Sequence, residues 1–306
     1  MNASLLQPRV LLPFALITLI WGSTWIVITD QLGTVPPTWS VTYRFAIAAA
    51  AMFAYARWTG ASLRIGREGH WLALLFGILQ FCGNYNLVYA AELYVTSGLV
   101  AVIFALLIVP NSLLAWLFLK QKVAVGFLAG SAVALAGVAL LFVQEFRASG
   151  APATSVLAGI GLTLLAVLTA SIANVMQASE RLRRRPVAAM LAWGMLYGVL
   201  ADIALSWLLF GPPVVETRPG YWVSLLYLSV AASAVAFALY YQVIRAIGPA
   251  RAAYSSVLIP ILAMGFSTAF EHYHWSTAAV AGGVLTLAGL LLALRSKRPP
   301  IPAPEG

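Results

Sequence analysis

The sequence predicts an all-α, polytopic membrane protein of ten transmembrane helices in two inverted five-helix repeats, and three observations predict it. Of 306 residues, 62% are hydrophobic and 9% charged, against roughly 45–50% and about 25% in an ordinary soluble domain. A mean hydropathy of +0.91, sustained along the chain, leaves almost no polar surface to cover a core, so the solvent is lipid. Next, charged residues, Pro and Gly divide the chain into apolar runs near 10–29, 38–57, 70–90, 95–119, 123–143, 155–178, 187–209, 221–245, 249–271 and 275–294. Each is close to the roughly 20 residues that a helix needs to cross a bilayer, and none shows the alternation of an outer-membrane barrel. Last, the halves resemble each other. GSAVALAGVA at 130–139 matches GGVLTLAGLL at 282–291 at Gly130/Gly282, Leu135/Leu287, Ala136/Ala288 and Gly137/Gly289. A second register sets Pro110 against Pro260, each in the fourth helix of its set, and Gln121 against Glu271. A repeat of five spans, an odd number, must insert its copies in opposite orientations.

The chain therefore divides into a cytoplasmic tail at 1–9, a first five-helix repeat at 10–143, an outer linker at 144–154, a second repeat at 155–294 and a cytoplasmic tail at 295–306. The first run follows the lone Arg9, outlasts a signal-peptide core and lacks a clear cleavage site, so it is a retained span. Orientation follows from Lys and Arg, which concentrate in short cytoplasmic loops. With both termini inside, 15 of the 18 basic residues lie on the inner side, only Arg147 and Arg218 lie outside, and Arg44 sits within the second span. The net charge of +9 thus reports topology rather than a nucleic-acid surface.

Enzyme chemistry finds no footing. Cys82 is the only cysteine, and His70, His272 and His274 lie at helix ends. Motifs for a catalytic metal, a serine nucleophile or a phosphate-binding loop are absent, so no cofactor, metal or ATP is implied.

Polar and aromatic residues inside the spans carry what function there is. In the first helix Trp21 lies about 12 residues deep with Trp25 one turn on, a strip suited to a cavity wall or to packing against a neighbour. Arg44 in the second helix and Asp202 in the seventh both lie roughly 10 Å below the outer surface. Equal depth permits an electrostatic pair, although Arg also snorkels outward. Gln80 and Asn84 share a face of the third helix with Tyr85 beside them, as cavity lining or interhelical glue. Ser97 on the fourth helix, Ser171 and Asn174 on the sixth, Ser233 and Phe237 on the eighth and Tyr254 on the ninth complete the candidate lining. Pro110 and Pro260 interrupt backbone bonding at matching places, as hinges or static kinks. Gly194-x-x-x-Gly198 and Gly126-x-x-x-Gly130 read as close helix packing within one chain. Trp39, Trp58, Trp71, Trp116, Trp207, Trp222 and Trp275 sit near span ends as an interfacial belt.

Residues 10–294 resemble the EamA-type drug/metabolite transporter superfamily, and within it the aromatic amino acid exporters. The resemblance is carried by Trp21-Gly22-Ser23, Tyr43-Arg44-Phe45, Tyr94-Val95-Thr96-Ser97-Gly98, Gly248-Pro249-Ala250, Pro110 and Pro260. One departure is Gln121, where the family commonly has Glu; only the second half keeps an acid, Glu271. The resemblance implies an exporter of aromatic amino acids in a bacterial inner membrane. With the neutral lining it gives the expectation of a monomeric secondary transporter, working by alternating access, whose partners are a small-molecule substrate and the lipid bilayer. The alternatives are a proton-coupled exporter of cationic drugs, which would want a cavity carboxylate, and a non-transport membrane scaffold. Sugar-nucleotide carriage would want a basic cluster at mid-depth.

Overall fold

The computed structural model describes residues 8–120, 125–148, 152–247 and 255–295. Ten long helices run through them: α1 (Pro8–Thr29), α2 (Pro37–Trp58), α3 (Gly66–Gly77, continued by Ile78–Asn84 and Tyr85–Ala91), α4 (Ser97–Phe104, Ala105–Leu107, Ile108–Leu119) and α5 (Val125–Ala148) in the first half. The second half has α6 (Ala153–Ala178), α7 (Val187–Phe210), α8 (Pro219–Leu226, Tyr227–Val235, Ala236–Ile247), α9 (Ser255–Phe270) and α10 (Thr277–Arg295). A four-residue turn of helix, Glu180–Arg183, precedes α7. No strand occurs among the described residues. Gln121 and Tyr254 lie outside them.

Local signals explain where the helices begin and end. Pro37 opens α2 and Pro219 opens α8, because proline's fixed φ and missing N–H suit a first turn. Gly211, at φ 77°, ends α7 in a conformation that a side chain resists.

Helices α1, α3, α4, α6, α7 and α8 are long and apolar enough to cross a membrane, and α5, α9 and α10 carry shorter apolar stretches. Helix α2 differs, since Thr38, Ser40, Thr42 and Arg44 dilute its hydrophobicity, and all four are buried. It lies along α7, and both face the interior.

The inverted repeat is visible in the packing. Helix α5 packs on α10, α2 on α7 and α4 on α9, each a helix against its counterpart in the other half. Helix α1 packs on α8 and α9, and its counterpart α6 packs on α3 and α4. The glycines that revealed the repeat form the α5–α10 seam. A Cβ on Gly130 would lie 2.6 Å from Gly289 O, and one on Gly137 would lie 2.6 Å from Gly282 O. The order 130–289, 137–282 makes the two helices antiparallel with their backbones in contact. Gly194 and Gly198 of α7 do the same for α3, meeting Phe76, Phe81 and the Gly77 carbonyl.

Both halves also carry an irregularity that sequence patterns did not announce. Ile78–Asn84 of α3 and Tyr227–Val235 of α8, which are counterparts, are π-helical. Such turns widen the helix and shift its hydrogen bonds by one residue, and they are frequent at functional sites. The two prolines behave differently from each other. Pro110 follows a 3-10 segment at Ala105–Leu107, whereas Pro260 lies inside an uninterrupted α9.

Of the seven tryptophans expected at an interface, Trp58, Trp71, Trp116, Trp207, Trp222 and Trp275 are exposed. Trp39 is instead buried at 3% exposure, and its indole N–H donates to Gly211 O at 3.3 Å, holding the α7–α8 connection against α2.

Candidate functional site

Helix α1 is joined to α8 along its length by side chains of the Trp21-Gly22-Ser23 motif and its continuation. Trp21 Nε1 donates to Ala232 O at 3.0 Å, a carbonyl within the π-helical turn of α8. The Ser23 and Tyr227 hydroxyls are 2.6 Å apart, and Gln31 Nε2 donates to Tyr221 O at 3.0 Å. Arg218 pairs with Asp30 at 2.5 Å, and Ser224 Oγ donates to the other Asp30 oxygen at 2.8 Å. Gly22, between the two bonding residues, faces Leu262 of α9, where a Cβ would lie 2.7 Å from another Cβ.

From Trp21 an aromatic wall runs across the centre. Its ring lies edge-on to Phe237 at 5.5 Å; Phe237 meets Phe81 at 5.8 Å, Phe81 meets Phe45 at 5.0 Å and Phe45 meets Tyr85 at 4.6 Å. These separations fall in the range of favourable edge and tilted ring pairs. Trp21, Tyr85 and Phe237 are half-buried, while Phe45 and Phe81 are fully buried. Trp21, Tyr85 and Phe237 are among the lining residues that the sequence predicts; Phe45 and Phe81 are not, although each stands next to one of the predicted site residues, Arg44 and Gln80.

Arg44 stands at the far end of this wall with 1% exposure. Its guanidinium lies over the Tyr85 ring at 4.5 Å and near Phe45 at 5.4 Å. Nε donates to Ser233 Oγ at 3.1 Å and Nη1 to Tyr89 OH at 3.3 Å. Ser233 in turn donates to Leu228 O, five residues back, a bond that the π-helical turn sets up.

The expected pairing of Arg44 with Asp202 is not formed. Asp202 accepts Asn86 Nδ2 at 2.6 Å, and its other oxygen has no hydrogen-bond partner. The reason is helix rotation. Thr42 meets Ser206 of α7 at 3.4 Å, so Arg44, two residues or about 200° further round α2, turns away from that contact. Asn86, which is half-buried, has no place among the predicted site residues; an amide inside an apolar run, one turn beyond Cys82, is its only signal.

The remaining predicted residues fall elsewhere. Trp25 packs on Phe104 of α4 at 5.4 Å with its indole N–H buried and unpartnered. Gln80 and Asn84 are buried on the π-helical turn of α3, and Asn84 Oδ1 has no partner. Ser171 Oγ reaches Leu107 O of α4 only at 3.5 Å, and Asn174 is half-buried.

Ser97 has a structural duty. Its hydroxyl donates to Glu271 Oε2 at 2.6 Å and its backbone N–H to Oε1 at 3.2 Å, so Glu271 caps the first turn of α4 from the end of α9. A carboxylate there satisfies orphan N–H groups and the helix dipole. Gly98 lets Ser267 and Met264 approach. Glu92, just past α3, keeps both carboxylate oxygens buried without a partner. Burial above all, then the Glu271 carboxylate, push its carboxyl well above the ordinary range, and Arg44 opposes them.

A groove of about 430 Å³ between α9 and α10 is lined by Pro260, Met264, Thr268, Trp275 and Gly283 among others. Its rim residues Ile261, Val280 and Val284 are exposed, so it opens on the perimeter rather than the centre.

The profile of the EamA-like transporter family matches residues 9–143 and again residues 157–295. The chain belongs to this family. PagO of Salmonella typhimurium is 24% identical over 94% of this chain and 93% of its own. YoaV of Bacillus subtilis, an uncharacterized transporter, is 23% identical over 93% and 96%. A Salmonella typhimurium protein described as a probable amino-acid metabolite efflux pump is 24% identical over 90% and 92%. A solved crystal structure superposes with a TM-score of 0.68 at 20% identity, covering 92% of this chain and 95% of that one. The protein is therefore a multi-pass membrane transporter with bacterial relatives.

Proposed function

We propose that this EamA-family transporter exports small metabolites across the bacterial inner membrane, aromatic amino acids first among them. The observation that carries the reading is the wall from Trp21 through Phe237, Phe81 and Phe45 to Tyr85, whose half-buried members Trp21, Phe237 and Tyr85 give a planar side chain ring surface to pack on. A name among the relatives, an amino-acid metabolite efflux pump, supports the same substrate class.

Alternating access then works between two five-helix units at 10–143 and 155–294, with both termini cytoplasmic and one chain sufficient. Positions 108–112 of α4, 174–177 of α6 and 237–240 of α8 are half-exposed in unbroken runs, which supports a vestibule open to the cytoplasmic end. The opposite end is held by the Asp30–Arg218 and Ser97–Glu271 contacts. Pro110 and Pro260 serve as hinges together with the paired π-helical turns. The cationic-drug alternative is disfavoured because the charge at the end of the wall is Arg44, not a carboxylate.

The test is uptake by proteoliposomes offered Phe, Trp, Thr, Lys and an organic cation, with and without a pH gradient. Phe and Trp are expected to enter at least about tenfold faster than Lys or the cation. Transport of the cation but of no neutral amino acid overturns the reading.

A further inference from the structure

We infer that Arg44 is the receptor for a carboxylate on the substrate, so that this transporter selects organic acids and zwitterions and rejects molecules that carry only a positive charge. The inference rests on the transport reading above and names the chemical group that the site recognises.

Charge bookkeeping around Arg44 leads to it. A buried guanidinium at membrane depth is costly unless an anion or a full set of acceptors meets it. Arg44, at 1% exposure, has no carboxylate within ion-pair distance among the described residues. Each nearby acid is accounted for. Asp202 is held by Asn86, Glu271 is committed to Ser97 at the start of α4, and Glu92 is not in contact with the guanidinium.

Hydrogen bonding leaves the same gap. A guanidinium has five N–H groups. Two are used, on the Ser233 and Tyr89 hydroxyls. Both of those partners are neutral, Glu92 acts on the guanidinium only from beyond hydrogen-bond and ion-pair reach, and the rings of Tyr85 and Phe45 give only face contact, so no anion touches the charge. The planar fork that remains fits a carboxylate with two parallel bonds, a geometry that Lys cannot reproduce. The Tyr89 hydroxyl can turn to donate to the same anion, while the Ser233 proton stays on Leu228 O. The position suits an amino acid as a whole, because the aromatic wall that receives the side chain ends at the ring covering Arg44.

The experiment compares three compounds in proteoliposomes: Phe, 3-phenylpropionate, which lacks the ammonium, and phenylalaninamide, which lacks the carboxylate. The unaltered protein is expected to favour the two carboxylates over the amide by about tenfold or more. Arg44→Gln should bring that ratio close to one by slowing the carboxylates while the amide holds or gains. Arg44→Lys should keep the preference at weaker apparent affinity. A wild-type protein indifferent to the carboxylate overturns the inference, as does an Arg44→Gln protein that slows all three compounds alike, the signature of a merely structural guanidinium. If Arg44→Gln does not yield monodisperse protein, the wild-type ratio and Arg44→Lys decide by the same criteria. Leu, leucinamide and 4-methylpentanoate are run in parallel. A carboxylate preference there without transport of Phe would retain Arg44 as receptor and discard the aromatic substrate.

Discussion

Two of the helix pairs that join the halves of this transporter do so by opposite means. At α5–α10 the backbones touch through Gly130, Gly137, Gly282 and Gly289. At α2–α7 the contact includes a hydroxyl pair, Thr42 and Ser206, with Arg44 and Asp202 turned towards partners elsewhere. In lipid no hydrophobic force draws helices together, so close backbone approach and hydrogen bonds must do it. The first pair relies on shape, and its buried hydroxyls, Ser131 and Thr286, are spent on carbonyls of their own helices. The second buries Arg44 and Asp202, and on the side of α2 turned from α7 Arg44 meets the end of the candidate site. One symmetry thus holds both a tightly packed seam and a polar interior.

Substituting the seam should have the largest effect. Gly137→Val would press a branched side chain onto the Thr286 backbone and Gly282 O, costing about 3 kcal/mol, read as a fall in thermal unfolding temperature in detergent. At Gly283, in the same region of α10, an added Cβ would meet nothing within 4 Å. Gly283→Ala should therefore stabilise by about 0.5–1 kcal/mol. Equal losses for both would mean that backbone contact does not define the seam.

At the α2–α7 pair, Asp202→Leu leaves the Asn86 amide with Cys82 O as its one carbonyl acceptor and should cost about 2 kcal/mol, while Asp202→Asn keeps an acceptor and costs much less. Because Arg44 and Asp202 have separate partners, the stability changes of Arg44→Gln and Asp202→Asn should add to within about 0.5 kcal/mol. A coupling well above that in the double-mutant cycle would restore the direct pairing that equal depth suggested.

Smaller effects sharpen the contrast at its edges. Glu271→Ala removes the cap of α4 and should cost about 1 kcal/mol, with Glu271→Gln losing part of it. Trp21→Phe keeps the ring contacts with Phe237 and Tyr240 but loses the bond to Ala232 O. About 0.5–1 kcal/mol is expected, with a weaker apparent affinity for Trp in the uptake assay.

The sequence by itself determined the solvent, the spans and the repeat. Hydropathy is a sum over neighbours in the chain, so runs of about 20 apolar residues locate helices without any knowledge of packing. The seam was legible too, since Gly130, Gly137, Gly282 and Gly289 recur because each is needed where two backbones meet. Trp21, Tyr85, Ser233 and Phe237 could be placed near mid-membrane by counting turns. What only the tertiary structure decided is which way each polar group faces. Helices that are apolar on every side carry no stripe to fix their rotation, and a rotation of about 200° separates Thr42 at the helix interface from Arg44 at the ring wall. The π-helical turns in α3 and α8 were also beyond reach, because a one-residue shift in backbone bonding leaves no mark in composition. They bring Ser233 under Arg44 and Ala232 O to Trp21, contacts between residues far apart in the chain that exist only once α1, α2, α3 and α8 have packed.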